Sequence, residues 1–247
     1  MLLKDKVAIV TGAAQGIGHA IAAVFASEGA LLAVCDLRLD GLAHALVNLK
    51  ATGLGYRAYQ VDVSNAAEVH SFVDRVVEGY GRIDILVNNA GIIIRNPLLD
   101  VSAAEWDRVF DVNVKGPFLL TQAVGRHMAE HKIAGSIVNI ASTSAQYAQA
   151  NKATYATTKA ALVHLTRCAA VELAPYGIRV NAICPGPTLT AQIADRVSEE
   201  YLRGKGMLLS GVGMPEDVAR AVLFVVSDAA RRVTGAQLNI DSGQQLC

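Results

Sequence analysis

Val7-Ala-Ile-Val-Thr-Gly-Ala-Ala-Gln-Gly-Ile-Gly18 is the stretch that decides the fold. Residues 7–10 form an unbroken apolar run, the pattern of a parallel strand covered on both faces. Thr11-Gly12-Ala-Ala-Gln15-Gly16-Ile17-Gly18 follows and opens into a helix that begins near Ile17 and ends near 28. Glycine is needed where a chain turns sharply, where backbone nears a pyrophosphate and where helix packs closely on strand. The helix amino terminus adds free N–H groups and partial positive charge, which suit phosphate. The spacing is GxxxGxG and not the common GxGxxG. Strand, glycine turn and helix in this order nevertheless favour a dinucleotide site over a bland turn.

Outward from this unit, the same alternation runs almost end to end. Apolar or β-branched runs at 31–35, 56–60, 83–87, 136–140, 178–183 and 237–240 read as further strands. Helical segments lie between them at 39–51, 66–80, 103–131, 153–174 and 215–227, the last with Pro215 in a tolerated first-turn position. The pattern predicts right-handed βαβ crossovers and an open, doubly wound parallel sheet of seven strands, an α/β Rossmann fold with helices on both faces. No linker, repeat or low-complexity tract interrupts 1–247, so one domain is expected. The least regular part, from Gly186 to Gly213, carries Pro187, mixed charge and four closely spaced glycines. About 187–213 is expected to cover the ligand crevice as a substrate lid.

Composition narrows the function. Hydrophobic residues make up 52% of the 247, which suits a doubly covered sheet and subunit surfaces hidden from water. Lys+Arg and Asp+Glu both total 22, so no net field draws nucleic acid or an anionic membrane. The start Met-Leu-Leu-Lys-Asp-Lys is charged at once and resembles no signal peptide, and no apolar run approaches the ~20 residues of a spanning helix. Cys35, Cys168, Cys184 and Cys247 form no CxxC pair or disulfide ladder. A soluble cytoplasmic protein is expected.

Asp36 ends the second strand, eighteen residues beyond Gly18, where a carboxylate can hydrogen-bond both hydroxyls of an adenosine ribose. It would repel the 2′-phosphate of NADP, so NAD is expected, with Arg38 two residues on able to soften that repulsion. Asp62, beside Val63 after the third strand, reads equally as an adenine contact or a strand-end turn. Tyr155 and Lys159 stand four apart in a segment without proline or glycine, which puts both on one helix face. A neighbouring ammonium favours phenolate, and bringing tyrosine from about 10 to neutrality takes roughly 4 kcal/mol. Lysine would supply part of it and a positively charged cofactor ring more.

Taken together, these segments resemble the short-chain dehydrogenase/reductase family, in its single-domain branch, over essentially the whole chain. Thr11-Gly-x-x-x-Gly16-x-Gly18 is similar to its cofactor turn, and Asn88-Asn89-Ala90-Gly91 to its motif after the fourth strand. Asn113 matches the family's helix asparagine, Ser142 its serine thirteen residues before the tyrosine, and Tyr155-x-x-x-Lys159 its most specific signature. Pro185-Gly186 matches a loop motif after the sixth strand. Two departures stand out: the tail reads Asp241-Ser242-Gly243 where many members have a second glycine, and Gln15 replaces a basic residue frequent in NADP-using relatives.

The resemblance implies that Tyr155 exchanges the substrate proton, Lys159 lowers its pKa and holds the nicotinamide ribose, and Ser142 positions the substrate oxygen. It implies that Asn113 holds a water linking Lys159 to solvent. Asn88, Asn89, Ala90 and Gly91 would line the cofactor cleft, with Thr188 and Thr190 beyond Gly186. A homotetramer is implied by the long helices at 103–131 and 153–174. The expected activity is an NAD-dependent interconversion of a small polar secondary alcohol and its ketone. A 3-oxoacyl thioester reductase is the alternative, and a non-catalytic dinucleotide sensor a third.

Substrate residues are less defined. Ser144, Gln146, Gln149 and Asn151, with Arg95 and Asn96, face either the crevice or an exposed polar loop. His127 and His131 are an i, i+4 pair without a third ligand, so no metal is expected and a solvated or interface helix end is preferred. Cys184 reads as a small core residue, Trp106 as a packing residue, and Arg231-Arg232 as a solvated turn.

Overall fold

Period-two burial along the strands explains why helices cover both sides of the sheet. The computed structural model describes residues 1–45, 55–190, 199–203 and 206–247. Its strands are β1 (Val7–Thr11), β2 (Leu31–Asp36), β3 (Tyr56–Gln60), β4 (Ile85–Asn88), β5 (Ser136–Ile140), β6 (Arg179–Pro185) and β7 (Gln237–Ile240). The main helices are α1 (Gly16–Ser27), α2 (Leu39–Ala45), α3 (Ala66–Tyr80), α4 (Ala103–Phe110), α5 (Gly116–Glu130), α6 (Ala153–Leu173) and α7 (Pro215–Val226). Ala8, Val10, Ile85, Val87, Val138 and Ile140 pack with α1 and α7 in one core. Val7, Ile9, Leu86 and Ile137 point the other way, into a second core with α3, α5 and α6. The inner strands β1, β4 and β5 therefore bury both faces, as their continuous apolar sequence requires, while the edge strands β3 and β7 stay partly exposed.

The strand order is β3-β2-β1-β4-β5-β6-β7, and every pairing is parallel. The chain runs outward from β1 to β3, then returns to the other side of β1 with β4. That reversal opens a crevice at the carboxyl ends of β1 and β4, where open α/β sheets take their ligands. Among the described residues no helix is long and apolar enough to cross a membrane.

Several boundaries differ from the sequence reading for physical reasons. The continuous helix expected over 103–131 is interrupted by a π turn at Asp111–Lys115, which turns Asn113 into the interior. Such single-turn insertions recur at functional sites. The start of α4 carries a capping box, Ser102 and Glu105 satisfying each other's backbone N–H. Of the helix expected over 39–51, the part beyond 45 lies outside the described residues. So does much of the lid expected over 187–213; its ends meet where Gly213 N donates to the Pro187 carbonyl and Leu189 N to the Gly213 carbonyl. In the tail, Ser242 adopts φ 54°, a left-handed conformation that costs a non-glycine residue about 1 kcal/mol. Asp241 holds that turn by accepting from Gly243 N and Gln245 N.

The strand expected to begin at 83 starts at Ile85 because Asp84 is committed to a clasp at the amino edge of the sheet. Its carboxylate, 4% exposed, accepts from Val7 N at 3.0 Å and from Arg82, and Lys6 stands 3.6 Å away. Its backbone also joins Val7 and Ser136, so one residue ties β1, β4 and β5 together. Asp84→Ala orphans the buried Val7 N–H and is expected to lower stability by about 1–3 kcal/mol. Urea unfolding checks this; an unchanged midpoint would contradict it.

Candidate functional site

The crevice is an open cleft of ≈ 1660 Å³, larger than the ~300–1,000 Å³ of a single small-ligand pocket. It has room for two ligands side by side. Gly12, Gln15, Gly16 and Ile17 line its floor at the start of α1, and Asp36, Asp62 and Val63 one end. Asn89, Ala90 and Gly91 form the wall after β4, and Pro185, Gly186, Thr188 and Thr190 the wall after β6. Ser142, Ser144, Gln149, Tyr155 and Lys159 lie at the remaining end.

The glycine turn is shaped by close approach. Gly12 has φ 63°, and a Cβ there would stand 2.8 Å from the Ala90 Cα. Gly18 does not line the cleft; a Cβ on it would meet the Gly12 carbonyl at 2.3 Å, so its role is to let α1 press against the turn. Asn89 locks the same turn, its Nδ2 donating to the carbonyls of Thr11 and Gly12 at 2.9 and 3.0 Å. The Asp36 carboxylate is oriented by Ala14 N at 3.1 Å and Arg38 N at 3.3 Å. Asp62 lines the cleft and also closes a turn, accepting from Ser64 N and Oγ, which is the strand-end reading.

At the other end, α6 sets Tyr155 and Lys159 on one face, next to the carboxyl end of β5. Lys159 is 4% exposed, its Nζ donating to the Ile140 carbonyl at 2.8 Å and lying 5.6 Å from the centre of the Tyr155 ring. Ser142 follows β5 directly, its Oγ accepting from Ser144 N. Burial pushes the Tyr155 phenol above its ordinary range, opposed by a hydrogen bond from the Ser142 side chain and the charge of Arg95. Burial also pulls Lys159 down to about 8. Desolvation thus disfavours the charged form of both groups.

Other expectations are corrected by hydrogen bonds invisible in the sequence. Asn88 does not reach the cleft; its Nδ2 donates to Asn139 Oδ1 and Thr121 Oγ1 within the interior. Asn113 has both ends of its side-chain amide engaged by protein: Oδ1 accepts from Ile92 N, and Nδ2 donates to the Ile92 carbonyl and Thr158 Oγ1. Thr158 in turn donates to the Tyr155 carbonyl, so Asn113 braces the tyrosine's turn of helix. Gln146 forms a reciprocal amide pair with Asn239 of β7. Asn151 is an exposed turn residue with φ 62°, and Asn96 is bound to Glu105. Of the six polar substrate candidates, Ser144, Gln149 and Arg95 remain in the cleft.

Lys152 and Tyr147 line the cleft too and were not singled out from the sequence. The available signal was position: Lys152 immediately precedes α6, three residues before Tyr155. Cys184 is fully buried and its thiol pushed up to about 11, as suits a core residue. His127 is buried, not solvated, with its ring 4.3 Å from that of His131. Trp106 stacks on Phe110 at 4.7 Å. Among the described residues, no three His, Cys, Asp or Glu converge as a metal group would require.

A family model described as "Enoyl-(Acyl carrier protein) reductase" matches residues 12–245. The chain belongs to the short-chain dehydrogenase/reductase family. Relatives of this short-chain type include an NAD-dependent glycerol dehydrogenase of Listeria innocua, 39% identical over 98% of this chain and 94% of the other. The 3-oxoacyl-[acyl-carrier-protein] reductase FabG of Thermotoga maritima is also 39% identical, covering 98% and 99%. Among solved structures, a 7α-hydroxysteroid dehydrogenase complexed with NADH and 7-oxo glycochenodeoxycholic acid superposes with a TM-score of 0.92 at 35% identity, covering 98% and 94%. A short-chain dehydrogenase/reductase is an oxidoreductase that binds a nicotinamide dinucleotide. The residues present fit that group: bare glycine backbone at a helix amino terminus suits the pyrophosphate, and a fixed carboxylate at the end of β2 suits the ribose hydroxyls.

The buried ammonium has a measurable consequence. Lys159 holds fewer protons in the folded protein than in the unfolded chain between about 8 and 10.5. Its contribution to stability therefore rises with pH through that window and is least favourable below it. Lys159→Met is expected to stabilise the protein by about 2–3 kcal/mol at pH 7 and by less than half that at pH 10. Urea midpoints at both pH values test this; a gain independent of pH would be the wrong outcome.

Proposed function

We propose that the protein is an NAD-dependent oxidoreductase interconverting a small polar secondary alcohol and its ketone. The observation that carries the reading is the convergence of Ser142, Tyr155 and Lys159 at one end of a cleft whose other end is set by Asp36. When bound, the nicotinamide supplies the hydride acceptor or donor. The Tyr155 hydroxyl gives a proton to the ketone oxygen in reduction, and its phenolate takes the proton from the alcohol in oxidation. The Ser142 hydroxyl, able to donate and accept, holds that oxygen in place. Lys159, fixed by the Ile140 carbonyl, sits beside the phenol and within reach of the wall at Gly91, where a Cβ would lie 3.5 Å from its Nζ. Asn113 acts behind them, through Thr158.

Preference for NAD over NADP rests on Asp36, whose carboxylate is held by two backbone N–H groups and would face a 2′-phosphate. The glycerol dehydrogenase relative supports a small polyol-like alcohol as the substrate class. The Thermotoga relative favours a second reading, a 3-oxoacyl thioester reductase, but Asp36 weighs against the NADP such an enzyme would usually want. One sheet threading 1–247 supports a single domain, and four unpaired cysteines support a cytoplasmic setting. Exposed Phe118 and Val171, on α5 and α6, support association of these helices between subunits in a homotetramer.

One kinetic series tests the reaction. Tyr155→Phe is expected to reduce kcat by at least about 10³-fold while NADH affinity stays within about threefold. A comparable kcat would refute the assignment, and a higher wild-type kcat/KM with NADP would refute the cofactor. For assembly, light scattering is expected to report four chains per particle; the mass of one chain would rule the tetramer out.

A further inference from the structure

Two cations on the substrate side of the cleft form no ion pair with any described carboxylate. Arg95 stands on the loop after β4 and Lys152 at the entry to α6; both line the cleft with Tyr155. Among the described residues neither takes part in an ion pair. Glu105, the carboxylate nearest in sequence beyond Arg95, is held by Asn96 and Ser102. Asp107 and Asp111 line the cleft from α4 and the π turn, together with Arg108, and Asp111 is paired with Lys115 at 3.1 Å. The two cations also oppose each other, since the charge of Arg95, after burial, holds Lys152 below its usual range.

The lysine is held in place without being neutralised. Its Nζ donates to Gln149 Oε1; Gln149 Nε2 donates to the Tyr147 hydroxyl at 3.2 Å, which donates to Gln244 Oε1 at 2.7 Å. Gln149, which the sequence leaves as either a crevice or a loop residue, is thus spent on orienting Lys152. The half-buried ammonium is held by a neutral amide and not by a counter-ion. The amino terminus of α6 adds partial positive charge from the same direction, with no acidic residue in its first turn. Uncompensated like charges are costly, and an anion placed between them removes that cost.

We infer that Arg95 and Lys152 form a subsite for an anionic group on the substrate, a carboxylate or a phosphate ester carried near the reacting carbon. This inference rests on the proposed alcohol–ketone reaction and narrows its substrate to hydroxy acids or hydroxy phosphates. The alcohol carbon would give up a hydride for a bound oxidised nicotinamide to accept, and its hydroxyl proton would pass to the Tyr155 phenolate, leaving the ketone; the anionic group would stay intact and anchor the molecule. Arg95 offers a planar fork suited to paired oxygens, and Lys152 a single point charge.

The test compares isosteric pairs with the full chain: 3-hydroxybutanoate against butane-1,3-diol, and glycerol 3-phosphate against glycerol. At least one anionic member is expected to exceed its neutral partner at least tenfold in kcat/KM. That ratio is expected to fall about tenfold in Arg95→Met and in Lys152→Met, with Arg95→Lys retaining part of it. Which pair shows the effect separates carboxylate from phosphate. Calorimetric titration of each anion into the NADH-loaded protein and its Arg95→Met variant supplies a readout that does not need turnover. Faster turnover of the neutral members, or a ratio unmoved by either variant, overturns the anion subsite and leaves the alcohol–ketone reaction standing. Anion binding lost in the variant without turnover of any compound keeps the subsite and removes the reaction. Neither binding nor turnover of the anions overturns the inference outright.

Discussion

Parallel pairing of all seven strands is the constraint from which the rest follows. It sends the chain out of every strand at the same edge, so the segments after β1, β2, β4, β5 and β6 meet in one cleft. Residues distant in sequence, such as Gly12, Asp36, Ala90, Ser142 and Gly186, become neighbours without any long-range design beyond strand order. The opposite edge is free for stability, and the Asp84 clasp at the amino ends of β1, β4 and β5 occupies it.

The same architecture fixes the electrostatics. Two cores sandwich the sheet, so groups at the base of the cleft lose water on several sides. Burial raises the Tyr155 phenol and depresses the Lys159 ammonium, so it disfavours the charged form of each. Chemistry at such a pair depends on charge brought to it. A nicotinamide ring carries one such charge in its oxidised form, and the cations Arg95 and Lys152 stand ready for another of opposite sign. Desolvation, and not the helical neighbour by itself, is what makes Tyr155 responsive to what binds beside it.

Hydrogen bonds hidden from sequence decide which polar residues remain available. Asn88 and Asn139 link β4, β5, α5 and α6 through Thr121 and Thr166, a buried network that holds the wall of the cleft from behind. Asn113 reaches Ile92 and Thr158 because a π turn rotates it inward. Gln146 is consumed by Asn239 and Gln149 by Lys152 and Tyr147. Each of these amides reads in sequence as a free polar group.

From the sequence alone came the strand–helix alternation, the glycine turn, the acidic residue ending β2 and the Tyr155–Lys159 face, because each is a local pattern whose period or spacing is set by backbone geometry. Those patterns were sufficient for the fold, the cofactor class and most of the cleft. The tertiary structure alone decided that Asn88 turns away, that Asn113 sits on a π turn, that Lys152 joins the site and that burial pushes the Tyr155 phenol up. These depend on which side chains meet across elements and how much water they exclude, quantities that no spacing along a chain contains.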